Sequence, residues 1–203
     1  NRDSILCIED IAYYPGFAGA KVLPGQYSAT VTVGDYEETV EFTLKADPRS
    51  TATDTEIHQW GARLTEVSEL ISEILSRLDA LRTARVQVQG LTDRYGEDTR
   101  FGEMANQAIS QIDRWEARIT QLKHQTLEDE DAWETMLAGQ LGYLLGVINS
   151  TGAPVTEGAM TRLADLKAEW AQRSAELRRI TEENLSPINA WAREQGVDHV
   201  RIP

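Results

Sequence analysis

Between Thr53 and Leu81 the chain reads TDTEIHQWGARLTEVSELISEILSRLDAL. Ile57, Trp60, Leu64, Val67, Ile71, Ile74, Leu78 and Leu81 recur in it at alternating steps of three and four. That spacing keeps one apolar seam on one side of a helix and packs it at a shallow angle against neighbouring helices. Thr53 and Glu56 stand at capping-box spacing, where each side chain satisfies an orphan amide of the other's backbone. A long helix is expected from this point, with Gly90 as its terminator.

Downstream the same period returns. Ala105, Ala108, Ile112, Trp115, Ile119 and Leu122 form a second seam, which predicts a second helix. Thr126 to Asp131 is acidic and sits where a third helix is expected to begin, with Trp133, Leu137, Leu141, Leu144 and Ile148 turned inward. Asn149 to Pro154 reads as a turn. A fourth helix follows through Leu163, Leu166, Trp170, Leu177 and Ile180. Ser186-Pro187 kinks or restarts it, because proline lacks the donor and crowds the preceding turn. Ile188 and Trp191 continue the stripe, and Gly196 ends it.

Upstream the period is two. Tyr27, Ala29, Val31 and Val33 alternate with Ser28, Thr30 and Thr32; Gly34-Asp35 marks a turn; Val40, Phe42 and Leu44 alternate with Glu41, Thr43 and Lys45. This is a β-hairpin expected to bury one face. Ile5 to Ile11 reads as a third strand and Tyr13 to Leu23 as a loop. Three strands fall short of a sandwich, which takes about 100 residues. The half-sheet is therefore expected to pair with upstream sequence, with the helices or with another copy. The fold class that results is mainly α: an antiparallel four-helix bundle preceded by a partial antiparallel β segment. Residues 1–49 form the β segment, 50–55 a polar linker, and 56–203 the bundle and tail.

The chain of 203 residues is 41% hydrophobic and 26% charged, a globular balance. No apolar run approaches the about 20 residues that span a bilayer; the most apolar stretch, Leu141 to Ile148, is short and contains Gly142 and Gly146. It begins at Asn1 rather than Met and reads as a piece of a longer protein. Net charge is −13, with 8 acids against 4 bases in residues 1–50 and 25 against 16 after them. Lys and Arg do not cluster, which argues against nucleic acid and anionic membranes as partners.

Motifs that carry chemistry are missing. The acidic run Glu128 to Asp131 lacks the ligand spacing of a calcium loop and reads as favourable charge at a helix start. His58, His124 and His199 form no zinc pair. Cys7, the single cysteine, reads as a buried strand residue. Gly139, Gly142 and Gly146 lie at steps of three and four on one helix; they either open room for a ligand or, as the better reading, permit close helix approach. Five tryptophans suggest sugar platforms, but Trp60, Trp115, Trp133 and Trp170 fall on seams and read as core, leaving Trp191 as the most exposed. With 33 acids no carboxylate pair is privileged as a glycosidase site, so no catalytic, cofactor-binding or metal residue is nominated.

The stretch Leu23 to Val33 (LPGQYSATVTV), with the second strand closing on Lys45-Ala46-Asp47-Pro48-Arg49, resembles the last strands of the Ig- or fibronectin-like module in secreted bacterial proteins with sortilin-like BNR-repeat propellers. These are commonly labelled glycosyl hydrolases. Asn1-Arg2 is similar to the start of the family's preceding strand, although Asp3-Ser4-Ile5 stand where the family has aromatics. Gly142 to Asn149, Pro154-Val155-Thr156, and Asn184 to Trp191 fit the helical tail that follows. The resemblance implies export to the periplasm, cell surface or medium. It also implies upstream propeller and Ig-like domains as partners in the same protein, and an active site, if any, on the propeller. A non-catalytic C-terminal module is the first expectation. A carbohydrate-binding module with a glycan partner, and a self-assembly module, are the alternatives.

Overall fold

The computed structural model describes residues 19–96, 98–123 and 132–202. The strand expected over Ile5 to Ile11, most of the Tyr13 to Leu23 loop, Cys7, His124 and the acidic run 128–131 lie outside the described residues.

The protein is mainly helical, with a two-stranded antiparallel sheet in front. Strands β1 (Gly25–Val33) and β2 (Tyr36–Leu44) pair from Gly25↔Leu44 to Val33↔Tyr36. Gly34, at φ 59°, takes the left-handed conformation that the two-residue turn requires. Among the described residues four helical rods follow: α1 (Asp54–Tyr95), α2 (Thr99–Ile119), α3 (Leu137–Thr151), and a broken rod made of α4 (Glu157–Ile180), a π-helical turn (Thr181–Leu185) and α5 (Ser186–Gln195). The capping box stands at the head of α1: Thr53 Oγ1 accepts from the Glu56 amide at 3.3 Å, and Glu56 Oε2 accepts from the Thr53 amide at 2.8 Å. Asp98 and Thr156 cap α2 and α4 in the same sense.

The seams meet in one core. Leu64, Val67, Ile71, Ile74, Leu78 and Leu81 are fully buried with Ile112, Ile119, Leu141, Ile148 and Leu166. Burial of that many large side chains, each contributing about 2 kcal/mol, is what holds helices whose own propensity is modest. Polar bonds set their register. Arg82 pairs with the buried Glu116, and Arg85 with Asp113, across α1 and α2; Lys167 of α4 reaches Glu66 of α1.

Four expectations fail for physical reasons. Gly90 does not end α1; the seam continues through Val88 and Leu91 to Tyr95, and that packing outweighs the about 1 kcal/mol a helical glycine costs. The terminator is Gly96, where a Cβ would lie 2.5 Å from the Thr92 carbonyl oxygen. Leu122 is half exposed because α2 ends at Ile119 and Thr120 is extended. Trp133 precedes α3 and is 42% exposed, its ring face 4.3 Å from the Lys123 ammonium. Trp191 is the reverse case: it is buried between Phe101, 4.2 Å away, and Tyr95, 5.4 Å away between ring centroids.

Ser186-Pro187 does restart the helix. The Ser186 amide bonds the Thr181 carbonyl five residues back, and the proline then occupies the first turn of α5, where no donor is needed.

Candidate functional site

Among the described residues, the hairpin carries an apolar surface that the rest of the fold does not account for. Its register places Tyr27 opposite Phe42, Ala29 opposite Val40, Val31 opposite Glu38 and Val33 opposite Tyr36, all on one face. The other face holds Thr30 and Thr39, bonded hydroxyl to hydroxyl at 2.8 Å, and Thr43 donating to Gln26 at 2.9 Å. The sequence alternation is therefore real, but the expected burial is not. Val33 is 69% exposed, Val31 58% and Val40 55%, with Tyr36 and Phe42 also exposed. Among the described residues no helix covers this face, and the apolar stripe stays exposed. The rings of Tyr27 and Phe42 stack on one another at 6.0 Å instead. At the tip, Tyr36 donates its hydroxyl to Glu38, whose carboxylate raises the phenol above its ordinary pKa of 10.0.

The base of the hairpin, by contrast, is fastened to the helices. The Lys21 amide donates to Asn149 Oδ1 at 3.1 Å, the Lys21 ammonium donates to the Asn149 carbonyl at 2.8 Å, and Asn149 Nδ2 donates to the Gly19 carbonyl at 3.5 Å. Two residues on, Leu23 packs directly over Gly61 of α1, where a Cβ would come within 2.5 Å of its methyl carbon. Tyr27 ties the segment to itself through its hydroxyl, which donates to the Leu23 carbonyl at 2.6 Å. Trp60, the neighbour of Gly61, donates its indole N–H to the Ile148 carbonyl at 2.8 Å, closing the joint from the helix side. The exposed apolar face thus belongs to a hairpin whose base is bonded and packed to the helices.

The other candidates dissolve into structure. Trp60, Trp115, Trp170 and Trp191 are buried, and Trp115 donates to the Arg173 carbonyl at 2.8 Å. Gly146 is exposed with nothing within 4 Å of an added Cβ, so close helix approach does not explain it. It stands beside a groove of about 630 Å³ between α3 and α4, lined by Tyr143, Leu144, Val147 and Arg162. His58 is spent on the Asp54 carbonyl, 2.7 Å away. Among the described residues no group of three or more His, Cys, Asp or Glu is placed to hold a metal ion, and no helix is long and apolar enough to cross a membrane. Among the described residues the carboxylates whose pKa moves clearly, Asp47, Glu56 and Glu66, all move down, the reverse of what a general acid needs.

Sequence reasoning found the apolar alternation but missed its anchors. Asn149 read as turn, although a polar residue just after an apolar helical run was a signal. Gly61 lay inside a perfect seam and drew no notice.

Comparison with protein-family models, with curated proteins and with solved structures found no match.

Proposed function

We propose that the chain is a non-catalytic structural and interaction module: an antiparallel four-helix bundle that carries the last strands of an Ig- or fibronectin-like sheet and braces a larger exported propeller protein. The observation that carries this reading is the exposed face of Val31, Val33, Val40 and Phe42 on a hairpin whose base is bonded to the helices. A contiguous apolar face of this kind marks an interaction site. A two-stranded sheet is marginal alone and gains stability from further strands. The likeness of Leu23 to Val33 to a module of the propeller proteins supports an upstream β-domain of the same polypeptide as the occupant.

Co-expression with the coding sequence upstream of Asn1 tests this. The upstream β-domain should co-purify with the chain, and the Val31→Lys/Val40→Lys variant should not retain it. Co-purification that survives both charges sinks the proposal. Self-association through the same face is the rival outcome, and sedimentation equilibrium of the chain alone separates the two.

The carbohydrate-binding reading has less support. Four of the five indoles are buried, and the fifth, Trp133, already has a cation over its face.

A further inference from the structure

A polar cleft of about 350 Å³ lies between α2 and the broken rod. Gln107, Gln111, Arg114 and Arg118 follow one another along α2 at steps of four, three and four and form one wall. The opposite wall is Arg179 with the π-helical turn. That turn inserts one residue into the helical repeat, so two consecutive side chains, Asn184 and Leu185, face inward. Leu185 enters the core. Asn184 lines the cleft, is 8% exposed, and makes no side-chain hydrogen bond among the described residues.

The Asn184 amide is open to the cleft, where a ligand can reach it, and π turns are frequent at functional sites. Arg114 and Arg179 likewise form no ion pair among the described residues, while Arg118 reaches Glu176 at 3.3 Å. Three guanidinium groups against the two carboxylates of Glu176 and Glu183 leave the cleft positive in a chain of net charge −13. An amide donor open to the cleft, forked arginines and an apolar floor of Trp115 and Ile180 are the parts of an oxyanion site.

We propose that this cleft binds a small oxyanion, a carboxylate or a phosphate or sulfate group, between Arg114 and Arg179 with Asn184 Nδ2 as the inner donor. Inorganic phosphate, sulfate and succinate are each titrated into the ¹⁵N-labelled 203-residue chain, with sodium chloride at equal ionic strength as control. Saturable shifts of the Asn184 side-chain amide and the Trp115 indole are expected from at least one of the three, at about 1 mM or tighter. Response to the tetrahedral ions alone identifies a phosphate or sulfate ligand, and response to succinate alone a carboxylate. Arg114→Gln/Arg179→Gln should weaken binding about tenfold or more while leaving the spectrum otherwise folded. Asn184→Asp should abolish it; should that variant not fold, the double arginine variant decides alone. Shifts no larger than those from chloride, or saturable shifts that survive the double arginine change, overturn the proposal.

Discussion

Leu23 sits on Gly61 so closely that a Cβ at position 61 would stand 2.5 to 2.8 Å from three of its side-chain carbons. This contact joins the segment before the hairpin to the first turns of α1, and it inverts the usual arithmetic of a helical glycine. Gly61→Ala should gain about 1 kcal/mol in helix propensity yet destabilise the protein by about 1–2 kcal/mol, because the leucine must move off the helix. Adding Leu23→Ala should remove the clash, so the double-mutant cycle in urea should show a coupling of about 1 kcal/mol. Additive effects would mean that the two residues do not meet.

Asn149 is the polar half of the same joint. Asn149→Ala deletes its bonds to the Lys21 amide and the Gly19 carbonyl but leaves its own carbonyl for the Lys21 ammonium. The expected loss is about 1–2 kcal/mol, with faster amide exchange confined to residues around Lys21. Exchange that accelerates throughout α3 instead would assign Asn149 to the helix and not to the joint.

The link between α1 and α4 should respond to pH. Lys167, bonded to Glu66, and then Arg63 hold the Glu66 carboxyl below its ordinary value of 4.5, against the opposing effect of partial burial. A carboxylate whose folded pKa is depressed contributes stability that is complete above its unfolded value and is lost as pH falls through the folded one. The stability difference between wild type and Glu66→Gln should therefore be constant from about pH 6 to 8 and shrink below about pH 4.5. A difference that grows on acidification would contradict the pairing.

The hairpin tip should tolerate charge. Val31 and Val33 contribute little to the core, so Val31→Lys or Val33→Lys should change the unfolding free energy of the chain by no more than about 0.5 kcal/mol. Val31→Lys also faces Glu38 across the strands, where opposite charges are mildly favourable. A loss of several kcal/mol would show that the chain itself buries this face.

Much of this fold was legible because two periods are hard to confuse. A seam at steps of three and four placed α1, α2 and α4, and alternation placed both strands with their turn. The capping box at Thr53 and Glu56 marked the head of α1, which begins at Asp54, two residues inside the stretch read as linker. What escaped was decided by tertiary contact. Gly90 stayed helical because Val88 and Leu91 had a core to enter. Trp191 went inside because Tyr95 and Phe101 waited there, while Trp133 stayed out on the approach to α3. The π turn is invisible to any fixed period, since it is a one-residue slip that puts Asn184 beside Leu185. The hairpin shows the deeper limit: alternation reveals which face is apolar, but not whether the same chain covers it.

The proposal that the exposed hairpin face docks an upstream β-domain meets its most direct test in hydrogen exchange over Gly25–Val33 and Tyr36–Leu44. The chain is compared alone and within the longer polypeptide that the proposal requires. The account predicts weak protection in the isolated chain and a rise of about 100-fold or more in the longer protein, reversed by Val31→Lys/Val40→Lys. Equal protection in both, unaffected by the two charges, would contradict it.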